Sequence, residues 1–153
     1  MLLVLSGLLG IVAGLRAMTA PAAASWAAYL GWIDVTDSFL AFMGYAWTPW
    51  ILTALAMVEL VADQLPSTPS RKVPQQFGAR ILTGGLGGAT LGAASDLLFG
   101  GAVAGVIGAI VGTYGGAAAR QSLAGMFGRD LPAALFEDVV AVAGAFLIVW
   151  SLA

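Results

Sequence analysis

The chain has 153 residues, 60% of them hydrophobic and only 9% charged, with six basic and eight acidic side chains for a formal net charge of -2. A soluble domain carries roughly a quarter charged residues, so this composition, with a mean hydropathy of +0.95, points to the lipid bilayer as the chain's main partner. Cysteine and histidine are absent, which excludes disulfides, thiolate chemistry, imidazole-bound haem and the usual zinc sites, and no basic surface exists for nucleic acid; neither a metal nor a cofactor is expected.

Breakers and polar residues divide the chain into six apolar segments within one membrane domain covering residues 1–153. The first runs from about Leu2 to Leu15. It holds no lysine or arginine, so the basic region of a cleavable signal is missing and the segment is expected to be retained. Next comes Gly14-Leu-Arg-Ala-Met-Thr-Ala-Pro21, which places a cation and a helix breaker between apolar stretches. Residues before proline are pushed out of the helical region, so the chain should break between Leu15 and Pro21. Thr19 is then placed to cap a helix starting near Pro21, whose free N–H groups suit an anion.

The second segment, about Pro21 to Ile33, is short like the first. Neither fills a span of about 20 residues, so the two read as tilted crossings or as the arms of a broken or re-entrant hairpin. The third lies within Ser38 to Val61 and should kink or restart near Trp47-Thr-Pro-Trp50, because Pro49 cannot donate to the ladder. A proline-punctuated connection, Leu65 to Gln76, follows; the fourth, fifth and sixth segments run from about Ala79 to Phe99, Ala102 to Ala124 and Pro132 to Ala153. The predicted fold is an all-α transmembrane bundle of five to six segments. If all six cross, the halves 1–65 and 77–153 hold three each in opposite directions, a 3+3 inverted repeat of the kind found in transporters.

Arg71, Lys72 and Arg129 lie in the connections after segments three and five, and read as topology signals that put those loops in the cytoplasm and both termini outside an inner (plasma) membrane. Trp26, Tyr29, Trp32, Tyr45, Trp47, Trp50 and Trp150 then collect towards the outer side, together with Asp34, Asp37 and Asp96. Small residues recur every four positions in segments four and five: Gly84, Gly88 and Gly92, then Gly101 and Gly105, then Gly108, Gly112 and Gly116. Such rows let helix backbones approach closely in lipid, within the chain or between copies in a homo-oligomer.

Seven charges fall at one inner level: Arg16, Glu59, Asp63, Arg80, Arg120, Glu137 and Asp138. Ions near hydrocarbon face the bundle interior and pair with one another. Arg16 is expected to face the carboxylates. Glu59 and Asp63, four apart, share a helix face, whereas neighbours 137 and 138 point about 100° apart, so at most one should face the cluster squarely. A salt-bridge network joining short helices and a polar site for a solute or proton are both open readings.

Gly14-Leu15-Arg16, Glu59-Leu-Val-Ala-Asp63-Gln-Leu-Pro66, and Arg120 followed by Glu137-Asp138 carry a resemblance over nearly the whole chain to the integral-membrane family called domain of unknown function four-one-two-six. The resemblance implies a membrane protein with these charged residues at its centre and supplies no substrate. Where relatives have a histidine or lysine near the end of segment five, this chain has Gly115-Gly116 and Ala117 to Ala119, so a role resting on that residue does not carry over.

The resulting expectation is a small transporter or channel for a small anionic solute or ion. Its binding or proton-coupling site would comprise Arg16, Thr19, Pro21, Glu59, Asp63, Arg80, Arg120, Glu137 and Asp138. The alternative is a non-transporting scaffold or accessory subunit packing through the glycine rows. An enzyme acting on a lipid headgroup ranks third, because no activated nucleophile is in view.

Overall fold

The computed structural model describes residues 1–67 and 69–153, with Thr68 of the proline-punctuated connection outside the described residues. The described residues form six α-helices: α1 (Leu2–Leu15), α2 (Thr19–Tyr29), α3 (Thr48–Ala62), α4 (Pro74–Ala93), α5 (Leu98–Phe127) and α6 (Asp130–Trp150), with a 3-10 turn at Ala41–Gly44. Among the described residues there is no strand. Proline sets two of the starts. Pro49 and Pro74 each sit in the first positions of α3 and α4, where a missing N–H costs no helical bond. The third segment therefore restarts rather than kinks, and α4 begins five residues before the expected Ala79. Gly128, at φ 67°, ends α5 in the left-handed conformation that glycine adopts without strain, and Asp130 opens α6 where a negative charge favours the helix dipole.

By length and composition, α5 and α6 are each long and apolar enough to cross a membrane, and α1 and α3 are shorter apolar helices. At 1.5 Å per residue α1 and α2 reach only about 21 and 16 Å. The halves are also unequal: helices of 14, 11 and 15 residues precede the connection and helices of 20, 30 and 21 follow it. These lengths give the expected inverted repeat no support.

The centre of the fold is a close-packed trio, α1, α4 and α5. A β-carbon at Gly88 would run into Gly101 O and the backbone of Gly105, and one at Gly92 into Leu97 O and Gly101. Further along α5, Gly108 and Gly112 lie against the backbone of Gly7, Gly10 and Ile11. The glycine rows of α4 and α5 are therefore occupied inside the chain, and α1 brings Gly10 and Gly14 to the same contacts. Leu9, Val12, Ala13, Leu91 and Ala109 fill the remaining space, and the Ser6 hydroxyl donates to Gly88 O at 3.0 Å. Outside this trio, α2 packs on α3, α4 and α6, while α3 leans on α2 and the 3-10 turn.

One end of the molecule is aromatic. The Trp26 ring stands edge-on to Trp50 at 5.0 Å and to Tyr29 at 5.8 Å, and Trp32 meets Trp150 at 6.3 Å. Asp34, Asp37 and Asp96 line one cavity of about 200 Å³. In the loop, Asp34 accepts hydrogen bonds from the Thr36 hydroxyl and amide, which hold its carboxyl below the ordinary aspartate value.

Candidate functional site

At the opposite end, α1 and α2 form a hairpin that turns at Arg16, Ala17 and Met18. Such a turn brings together the free carbonyls that end one helix and the free amides that begin the next. Inside a protein both sets need partners. Arg80 of α4 supplies the donors: its Nη1 donates to Gly14 O and Leu15 O, each at 2.7 Å. Glu59 of α3 supplies the acceptors, its two carboxylate oxygens receiving Ala17 N–H at 2.7 Å and Met18 N–H at 2.8 Å.

This arrangement corrects two expectations. Thr19 does not cap α2; the helix starts at Thr19 itself, and its buried hydroxyl has no partner among the described residues. The anion at that helix start is the chain's own Glu59. Pro21 is buried in the first turn of α2, where its missing N–H is harmless.

Arg16 follows α1 in extended conformation and is fully buried. Its Nε donates to Asp138 Oδ1 at 2.5 Å, and Nη2 lies 2.5 Å from the same oxygen. Nη1 lies 3.0 Å from Asp63 and 3.5 Å from Glu137. Arg80 Nη2 approaches Asp63 at 3.8 Å, so the Glu59/Asp63 face serves the hairpin from both residues. Gln64 completes Asp138 at 3.1 Å.

Glu137 and Asp138 both engage, against the expectation of one. Their side chains diverge around α6, but cations reach them from different quarters: Arg16 to Asp138, and Arg71 to both oxygens of Glu137, with Nη2 to Oε2 at 2.8 Å. Arg71 is buried, and the reading of it as only a topology signal is corrected. Arg120 pairs with Asp130 through two bonds of 2.9 and 2.5 Å and stands 3.6 Å from Glu137. The structure thus brings together all seven predicted charges and adds Arg71 and Asp130. A faint signal for Asp130 was its place ten residues beyond Arg120 across the α5–α6 corner; Arg71 had none, because a loop residue's reach depends on where the loop is carried.

Beside this cluster opens a cavity of about 470 Å³ whose wall includes Asp63, Arg71, Arg80, Arg120, Gln121 and Asp130. The Nε of buried Arg80 has no hydrogen-bond partner among the described residues. Three guanidinium groups and two carboxylates share this wall; Arg71 is paired with Glu137 and Arg120 with Asp130, so the donor capacity left for an anion includes the free Arg80 Nε. The eight glycines predicted for packing lie apart from the cavity, apart from Gly116, which faces Leu15, Arg71 and Glu137 at the cluster's edge.

The fold and site define a class: an all-α protein in which a helical hairpin is held at its tip by buried ion pairs. No protein-family model, curated protein or solved structure matches the chain.

Proposed function

We propose that this chain is a multi-pass membrane protein that admits a small anionic solute to the arginine-walled cavity beneath its helical hairpin, as a transporter or channel. The observation carrying this reading is that cavity of about 470 Å³, where Arg71, Arg80 and Arg120 converge on one space. The outward faces support lipid contact: Val4, Leu82, Phe99, Val103, Phe146 and Leu147 are all exposed. In the bilayer, α3 to α6 cross and the α1–α2 hairpin dips in from the outer side, its tip meeting the inner end of α3 at Glu59. Irregular backbone at such depth is tolerated only inside protein, which is the service Arg80 and Glu59 perform. The aromatic end lies at the outer interface with both termini, and the arginine-walled cavity faces the cytoplasm. The resemblance to the four-one-two-six family fits this placement. A scaffold role has less to rest on, because the eight glycines of the predicted rows are engaged within the chain.

The test is anion flux into liposomes containing the purified chain, run with chloride, phosphate and small carboxylates. Flux of at least one anion is expected. Arg120→Gln, which removes a partly exposed cavity cation, should reduce it several-fold while the thermal transition is kept. No flux for any of these anions, or undiminished flux in Arg120→Gln, overturns the reading.

A further inference from the structure

Arg120 stands at the junction of two hollows. On one side is the arginine-walled cavity, which it lines with Gln121 and Asp130. On the other is a smaller, almost wholly apolar cleft of about 80 Å³ between α5 and α6, walled by Ala119 and Leu123 on one helix and by Ala133, Phe136 and Val140 on the other. From Gly116 to Leu123 the cleft follows two turns of α5, about 10 Å at 1.5 Å per residue. Ala119, Phe136 and Val140 are exposed, so the cleft opens on the outward face of the molecule, where acyl chains would lie.

The Arg120 guanidinium is reachable and only partly used. Its side chain is 19% exposed, and Nε and Nη2 donate to Asp130. Nη1 is not buried and stands 3.6 Å from Glu137, so its N–H groups make no hydrogen bond among the described residues. Glu137 competes little for them, because Arg71 grips both of its oxygens. Asp130 is the one exposed acid beside Arg120, at 64% side-chain exposure, and a water-facing ion pair of that kind contributes little. Because Arg120 reaches to Asp130 in the first turn of α6, its charge lies at the inner end of the cleft and the apolar walls run deeper. A phosphate at Arg120 with an acyl chain in the cleft therefore has the polarity of a lipid in the cytoplasmic leaflet. That leaflet carries the anionic lipids, and basic pockets between membrane helices on this side receive their headgroups. The planar guanidinium fork matches phosphate oxygens.

We infer that Arg120 and the α5–α6 cleft bind an anionic phospholipid of the cytoplasmic leaflet, its phosphate on Nη1 and the first stretch of an acyl chain along Ala119, Phe136 and Val140. The inference rests on the bilayer placement proposed above but not on the movement of a solute. Lipid that merely surrounds the protein fills an outward cleft whatever its headgroup. Headgroup selectivity that depends on Arg120 therefore separates a specific ligand from ordinary surrounding lipid.

The experiment is native mass spectrometry of the full chain, released from detergent containing equal amounts of dioleoyl phosphatidylglycerol and dioleoyl phosphatidylcholine, which differ only in headgroup. Phosphatidylglycerol should be retained in several-fold preference. Arg120→Gln should cut that retention by roughly ten- to a hundredfold, the loss of a charge-assisted hydrogen bond, while the thermal transition is kept. Asp130→Asn, which removes the competing acid, should raise it. Ala119→Phe should fill the cleft from its exposed side and abolish it. Should Ala119→Phe fail to fold, Arg120→Gln and Asp130→Asn carry the test. Equal retention of the two lipids, or retention unchanged in Arg120→Gln, overturns the inference. Displacement by inorganic phosphate at the concentration of the lipid assigns the site to a dissolved anion and overturns it as well. The failures are distinguishable. A chain washed from membranes by alkali refutes the bilayer placement, absent anion flux in liposomes of phosphatidylcholine alone refutes the solute reading, and an embedded chain without headgroup selectivity refutes only the lipid.

Discussion

Replacing Arg16 with methionine keeps the length of the side chain and removes a guanidinium that is fully buried against three carboxylates. Asp138 at 2.5 Å, Asp63 at 3.0 Å and Glu137 at 3.5 Å would lose that cation together. Asp63 would keep only Arg80 at 3.8 Å, Glu137 would keep Arg71 and Arg120, and Asp138 would keep a neutral Gln64. Removing one partner of a buried pair costs about 3–5 kcal/mol, because the remaining charge is left uncompensated. For a chain of this size each kcal/mol moves the midpoint by roughly 2–4 °C, so the thermal transition, followed by tryptophan fluorescence in detergent, should fall by roughly 6–20 °C. Asp138→Asn should cost less, since Arg16 keeps Asp63 and Glu137. Combining the two should cost less than their sum, by roughly 0.5–3 kcal/mol. An Arg16→Met transition within about 2 °C of the parent, on the same scale, or strict additivity in the double variant, would refute the argument that buried pairing holds the hairpin.

Gly108→Leu should separate α1 from α5 and abolish the folded species on gel filtration, since a side chain there meets the backbone of Gly7, Gly10 and Ile11. Gly115→Ala meets open space and should leave the thermal midpoint unchanged or raise it through helix propensity worth about 0.5–1 kcal/mol. Arg71→Lys should lower the thermal midpoint despite the retained charge, because a point charge cannot reproduce the two-pronged contact with Glu137. Thr36→Val removes the hydroxyl that holds the Asp34 carboxyl below its ordinary value, so the Asp34 titration followed by NMR should shift upward. A depressed carboxyl favours the folded state above its unfolded pKa and loses that advantage as pH falls; in the parent this loss belongs to acid pH, below the ordinary aspartate range, and in Thr36→Val it should shrink.

Much of the site was legible because helices convert sequence spacing into depth. Breakers at Gly14 to Pro21, Pro49 and Pro132 mark where segments turn, and charges counted from those turns fall at one level. What stayed hidden was which side chain meets which. Thr19 looked like the cap of α2 from its position, yet a carboxylate 41 residues away takes the Met18 amide. Neighbours 137 and 138 looked exclusive on one helix, yet Arg16 reaches both, and Arg71 from the central connection adds a second cation at Glu137. The glycine rows announced close crossings, while the backbone seated in them belongs partly to α1, whose Gly10 and Gly14, themselves four residues apart, extend the same pattern to the first helix.

Composition by itself determined the apolar character, the all-helical build, the absence of thiol and imidazole chemistry, and the gathering of charge at one end with aromatics at the other. Those properties depend on residue type and on local spacing, which the chain carries along its length. Only the tertiary structure decided that the charges serve the turn of a hairpin, that Arg71 belongs with them, and that the Thr19 hydroxyl is buried without a partner among the described residues. Hydrogen bonds and ion pairs act over about 3 Å, and the partners concerned lie as far as 122 residues apart in the chain, so their pairing exists only once the helices have come together.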